Sequence, residues 1–330
     1  MNGLNVDDDD DVSQPSPDKE PDIVDVTFHA YTRIGDDIEL PPHLRELDYT
    51  GNRVKKIENL EHLTRLEKLL LRQNLISKIE NLNCLSTLTH LDLYGNKISA
   101  VENLEVLTGL TQLDLSYNEI REIKDVSMLT NLKELYFANN KIANIGEELL
   151  PLTKLTTLEL GSNRIRTIEG LSTLTHLENL WLGRNKITVI QGLDTLTVLK
   201  RLSIQSNRLV KIEGLACLVL LEELYLSQNG IEKLEGIETL VRLKTLDLAG
   251  NRISKLEGMT TLTSLEELWL NDNSIAEFGD LQGLAGQTKL QTVYLERNPI
   301  SGQPNYRTQV LRVLPWLTQI DALPVTDKDR

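Results

Sequence analysis

Apolar positions along this chain recur with a long, fixed period. From residue 44 onward the frame L-x-x-L-x-L-x-x-N-x-I-x-x-I-x-x-L-x-x-L returns again and again. Leu66, Leu69, Leu71, Asn74, Ile76, Ile79, Leu82 and Leu85 show it in full. Its Asn falls at 52, 74, 96, 118, 140, 163, 185, 207, 229, 251, 273 and 298, a spacing of 22 broken by one 23 and a last 25. Two positions after each Asn stands Val54, Leu209 or an Ile. The L-x-L alternation predicts a short strand with both Leu turned inward. The apolar residues three apart that follow predict return segments of 3₁₀ or one-turn helix, since 22 residues leave no room for a long α-helix.

Twelve copies at this period identify the leucine-rich repeat. The fold class expected is an α/β solenoid, a horseshoe whose parallel strands line the concave side and stack about 4.8 Å apart. The Asn column is expected to be buried, pairing backbone groups that would be costly to leave unmatched. Gly170, Gly192, Gly214, Gly236 and Gly258 stand seven residues after the Asn, where earlier repeats have Asn or Asp. That exchange predicts a left-handed backbone position. The one extra residue is expected within residues 146–151.

The boundaries expected are a disordered acidic tail over 1–25, a degenerate first coil or cap over 26–43, the repeat array over 44–298 and a C-terminal cap over 299–330. In the cap, Tyr306, Leu311, Leu314, Trp316, Leu317 and Ile320 should cover the last coil, with Arg307 pointing outward. Residues 1–40 hold twelve acids and two bases, −10 of the chain's −14, the composition of a solvated tail. Cys84 and Cys217 occupy the same frame position six repeats apart, about 29 Å at 4.8 Å per repeat, too far for a disulfide; they are expected as free thiols.

Composition removes several functions. The net charge of −14 argues against a nucleic-acid surface, which needs Lys and Arg to displace counterions. No run of 18 apolar residues suggests a membrane span. The five histidines form no metal-binding spacing, and no nucleophile elbow, Walker A or dinucleotide fingerprint occurs. No cofactor and no enzymatic activity are expected.

The informative positions are those between the inward Leu residues, four before each Asn. Read down the array they are Asp48, Leu70, Asp92, Asp114, Tyr136, Glu159, Trp181, Ser203, Tyr225, Asp247, Trp269 and Tyr294. Five of the chain's fourteen aromatics lie in this one column, beside five carboxylates and no base. Strand alternation turns them away from the core. With the two flanking columns the face carries ten acids against three bases. An acidic, aromatic-lined groove suits a protein partner rich in Lys and Arg.

The same residues carry a family resemblance. The 22-residue repeats, LELGSNRIRTIE at 158–169, LGRNKIT at 182–188, LSIQSNRLVKIEGL at 202–215 and the cap VYLERNP at 293–299 resemble the regulatory subunit 7 family of protein phosphatase 1, mitotic regulators with short repeats. The likeness runs over about residues 30–325 and includes the acidic tail. It implies that the concave face binds the phosphatase catalytic subunit through Asp114, Tyr136, Glu159, Trp181, Asp247, Glu267, Trp269 and Tyr294, to which strand alternation adds Tyr225. Tyr136 and Trp181 stand where the family often has Phe. The resemblance also implies a ternary complex with a small heat-stable inhibitor, a nuclear and cytoplasmic location, and a role in chromosome segregation. Without its partner the chain is expected to be a monomer. The alternative is a repeat scaffold for another basic protein, of the spliceosomal or axonemal type.

Overall fold

The computed structural model describes residues 22–36 and 38–330; the acidic run expected to form the tail lies almost wholly outside the described residues. Among the described residues fifteen strands form one sheet in chain order. β1 (Ile23–Asp25), β2 (Glu46–Asp48), β3 (Lys68–Leu70), β4 (His90–Asp92), β5 (Gln112–Asp114), β6 (Glu134–Tyr136), β7 (Thr157–Glu159) and β8 (Asn179–Trp181) are followed by β9 (Arg201–Ser203), β10 (Glu223–Tyr225), β11 (Thr245–Asp247), β12 (Glu267–Trp269), β13 (Thr292–Tyr294), β14 (Gln319–Ile320) and β15 (Leu323–Pro324). All pairs to β14 are parallel and in phase, as Leu158↔Leu180 shows; β14 and β15 pair antiparallel.

Each three-residue strand buries its middle residue, from Leu47 to Val293, and the next apolar residue but one is buried as well. Tyr49 and Phe137 take that second position in their coils. The result is one continuous aliphatic core running the length of the solenoid.

The Asn column closes each turn. The Ile165 N–H donates to Asn185 Oδ1 at 2.9 Å, and Asn185 Nδ2 donates to Leu160 O at 2.9 Å and Leu182 O at 3.0 Å. One side chain thus satisfies three backbone groups from two coils. The same pattern runs from Asn52, which serves Tyr31, Val26 and Tyr49, to Asn298, which serves Ile275, Leu270 and Leu295.

The left-handed position seven after the Asn is present, with two solutions. Asn59, Asn81, Asn103 and Asp125 have positive φ, as do Gly170, Gly192, Gly214, Gly236 and Gly258. Asn81 Nδ2 donates to Ile57 O at 2.7 Å. In the glycine coils the equivalent carbonyl comes closer, so that a Cβ on Gly214 would lie 2.3 Å from Ile190 O.

The return segments differ from expectation. Most coils have no helix there. They have two successive turns, such as Leu63 N–H to Leu60 O at 3.0 Å and Leu66 N–H to Leu63 O at 3.1 Å. The bonds span three residues as in a 3₁₀ helix, but are spaced three apart and do not chain into one. Helical segments occur where the period lengthens or ends: 3₁₀ at Phe278–Leu284 and Pro299–Gly302, and α1 at Tyr306–Val313.

Both ends depart from the sequence boundaries in detail. The sheet begins at Ile23, inside the stretch assigned to the tail, because Val24 pairs in register with Leu47. At the other end Leu311, Leu314, Leu317 and Ile320 are buried, and Tyr306 and Trp316 pack on the core. Asp321 Oδ1 accepts the N–H groups of Leu295 and Glu296, at 2.7 and 2.9 Å. Arg307 is not outward. Its guanidinium donates to Asp329 at 2.7 Å, to Ile320 O at 2.9 Å and to Pro324 O at 2.8 Å, tying α1 to the last hairpin. Cys84 and Cys217 are free, as expected.

Candidate partner-binding face

The strand ladder lines up the column four before each Asn on one side of the sheet. All nine residues singled out in the sequence, Asp114, Tyr136, Glu159, Trp181, Tyr225, Asp247, Glu267, Trp269 and Tyr294, lie on β5 to β13. Eight of the nine are not freely exposed. Asp247 is buried at 4% exposure, Glu267 is exposed, and the remaining seven are half-buried. The crowding arises because neighbours stand only one strand apart.

The rings associate across strands. Trp181 and Tyr225 stack with centroids 6.3 Å apart, over Ser203 on the strand between them; Ser203 is 3% exposed beneath. Trp269 meets Tyr294 edge to face at 5.8 Å. The Trp269 indole N–H is buried without a hydrogen-bond partner, leaving a donor to be matched. The Tyr136 hydroxyl donates to Glu134 at 2.8 Å and that of Tyr225 to Glu223 at 2.9 Å. Burial, reinforced by these carboxylates, raises both phenols, that of Tyr225 to about 12.

The carboxylates have a structural duty that sequence reasoning missed. Each of the five in the column four before the Asn accepts the backbone N–H two residues on, closing the strand's end. Asp114 takes Ser116 at 2.8 Å, Glu159 takes Gly161 at 2.6 Å and Asp247 takes Ala249 at 3.0 Å; Asp48 and Asp92 do likewise with Thr50 and Tyr94. The longer Glu159 fits because residue 161 is glycine: a Cβ there would lie 2.6 Å from Oε1. Burial pushes Glu159 up to about 7 and Asp92 up to about 6, and raises Asp114 and Asp247 as well; repulsion from Asp114 adds to the first two. These groups are costly to ionise, and among the described residues only Asp92 of the four has an ion-pair partner, Arg72. A Lys or Arg brought against them would be favoured by their charge and would itself lose little to screening.

A further cluster at the N-terminal side escaped the sequence reading. Arg72 lies over the Tyr94 ring at 4.6 Å and donates to Asp92 at 2.9 Å, and Tyr94 meets Tyr117 at 4.8 Å. Arg72, Tyr94 and Tyr117 stand in the columns one and two before the Asn and Asp92 in the column four before, and reading each column by itself does not reveal contacts between columns. Among the described residues no group of His, Cys, Asp and Glu gathers to hold a metal ion, and no helix is long and apolar enough to cross a membrane.

Comparison with known proteins agrees with this architecture. Residues 87–188 and 216–330 match the model of the leucine-rich repeat family. Over 45 residues the chain is 51% identical to human protein phosphatase 1 regulatory subunit 7, a match covering 14% of this chain and 12% of that protein. Over 54 residues it is 43% identical to the probable U2 small nuclear ribonucleoprotein A' of Drosophila melanogaster, covering 16% and 20%. The crystal structure of the internalin InlF from Listeria monocytogenes superposes with a TM-score of 0.82 at 28% identity, over 92% of this chain and 87% of that one. The family model spans well over half the sequence, and the repeats, Asn ladder and single parallel sheet are those of its fold: the chain belongs to the leucine-rich repeat family.

Proposed function

We propose that this chain is a non-enzymatic regulatory subunit that grips the catalytic subunit of protein phosphatase 1 with its sheet face. The observation that carries the reading is the row of half-buried rings, Tyr136, Trp181, Tyr225, Trp269 and Tyr294, interleaved with desolvated carboxylates. The short match to human regulatory subunit 7 supports the choice of partner.

The dimensions are compatible. From Asp114 to Tyr294 is eight strand steps, about 38 Å at 4.8 Å each. A 300-residue globular enzyme has a radius of gyration near 19 Å, hence a diameter of about 50 Å. In this reading the rings are anchors, and Asp114, Glu159, Asp247 and Glu267 face basic groups on the enzyme. Control of phosphatase activity, maturation or targeting in mitosis, a ternary complex with a small heat-stable inhibitor, and action in nucleus and cytoplasm belong to the same proposal.

The match to the Drosophila ribonucleoprotein favours a second reading, a scaffold for a different basic protein of spliceosomal type. Affinity capture from cell extract separates the two. Wild-type bait should recover the phosphatase catalytic subunit and Trp269→Ala bait should not. Recovery of spliceosomal proteins without phosphatase would replace the first reading with the second.

A further inference from the structure

The flank that follows the strands carries the opposite charge to the sheet face. From one residue before each Asn to four after it, the twelve coils hold seventeen bases and five acids. In the coils of Asn163, Asn185 and Asn207 this flank has no acid at all, and it bears Arg164, Arg166, Arg184, Lys186, Arg208 and Lys211. Lys211 pairs with Glu213 at 2.7 Å. The other five make no side-chain hydrogen bond or ion pair among the described residues. Unlike Lys141, which binds Glu119 at 2.8 Å on the neighbouring coil, they have charge to spare. The arginines are exposed and Lys186 is half-buried.

Their spacing is fixed by a second backbone ladder. The Arg164 N–H donates to Ile142 O at 2.8 Å, that of Lys186 to Ile165 O at 2.8 Å and that of Arg208 to Ile187 O at 2.9 Å. The three cations therefore rise one per coil, about 4.8 Å apart, along the solenoid axis. The row also joins the aromatic face. The lip between them is low at Gly161 and Gly183 and higher at Gln205 in the third coil, and a cavity of about 280 Å³ lined by Glu159, Trp181, Gly183, Arg184 and Gln205 connects the two surfaces.

We propose that Arg164, Arg166, Arg184, Lys186 and Arg208 form a second docking surface, for an acidic polypeptide segment lying along the solenoid axis beside the groove. The assignment is independent of what fills the groove. Charge complementarity selects the occupant's sign, and the width of the site selects its class. The row is narrow, bounded by Glu159 toward the groove and by Glu169 and Glu213 on the far side. An extended chain rising about 3.3 Å per residue places three or four residues over the three coils and keeps clear of those borders. A nucleic acid would bring a broad, uniformly charged backbone against a protein of net −14.

The test is fluorescence anisotropy of a labelled oligoglutamate peptide with the full chain at low ionic strength. Wild type should bind saturably. Arg164→Glu/Lys186→Glu/Arg208→Glu should weaken binding by about tenfold or more, and the same positions changed to Gln should weaken it to a smaller extent. The control reversal Arg53→Glu/Lys55→Glu/Lys56→Glu, equal in charge but on a distant coil, should stay within about twofold of wild type. Thermal melts of each variant check that it is folded. Absence of saturable binding to wild type, equal loss in both reversals, or tighter binding of a single-stranded oligonucleotide of equal charge would each overturn the proposal.

Discussion

Trp181 and Tyr225 stack across an intervening strand, their centroids 6.3 Å apart above the buried side chain of Ser203. The contact exists because residue 203 is small. Two large rings in one column need a low neighbour between them to lie over, and Ser203 supplies it. Replacing Ser203 with Leu should part the rings. In the phosphatase-binding reading, affinity should fall about tenfold, with a changed Trp fluorescence spectrum and little change in melting temperature, since no strand hydrogen bond is touched. Unaltered affinity with the rings demonstrably separated would show that the stack is not an anchor.

Asn185 pairs three buried backbone groups. Asn185→Ala leaves the Ile165 N–H without a partner inside the solenoid, while Leu160 O and Leu182 O keep their second donors, Asn163 and Asn207. An orphaned buried donor costs about 1–3 kcal/mol; urea unfolding should report a loss of that size, and a variant as stable as wild type would contradict the assigned role.

The two solutions at the left-handed position are not interchangeable. Asn81 fills it with a side-chain hydrogen bond, whereas at Gly214 the Ile190 carbonyl occupies the space a Cβ needs. Gly214→Asn should therefore destabilise by about 1–2 kcal/mol in spite of matching Asn81, because the carbonyl must be displaced. Thermal denaturation at neutral pH decides it, and a neutral or stabilising change would refute the steric account.

Glu159 gives a signed pH dependence. Burial raises its pKa from the ordinary value of 4.5 to about 7 in the folded chain. Between those values the folded state binds the proton more tightly than the unfolded state does. The stability this contributes is fully present below the unfolded pKa and is lost as pH rises through 7. Relative to Glu159→Gln, which keeps an oxygen for the Gly161 N–H, the wild-type chain should lose stability between pH 5 and pH 8, by roughly 2–3 kcal/mol at most. Melts of the pair across that window test it, and parallel curves would refute the raised pKa.

Much of this molecule is legible in its sequence, and the misses have common causes. The Asn column and the aromatic column are visible because each repeats a local chemical demand every 22 residues. The capping duty of Asp114, Glu159 and Asp247 is hidden, since a carboxylate on a strand reads as a charge until its distance to the N–H two residues on is known. The inward Arg307 is hidden because its partners, two carbonyls of the last hairpin and Asp329 in the turn after it, are brought together only by the folded cap. The turns in place of helices on the return side follow from bonds three residues apart that never chain, and apolar spacing alone does not distinguish these from a 3₁₀ helix.

The central claim is that the sheet face holds the phosphatase. The direct measurement is a calorimetric titration of the protein phosphatase 1 catalytic subunit with wild type, Trp269→Ala, Glu159→Lys and the return-side control Lys255→Ala. The account predicts that Trp269→Ala loses about 2 kcal/mol or more of binding energy, that Glu159→Lys is also markedly weakened, and that Lys255→Ala matches wild type. Equal affinity for all four proteins would contradict it.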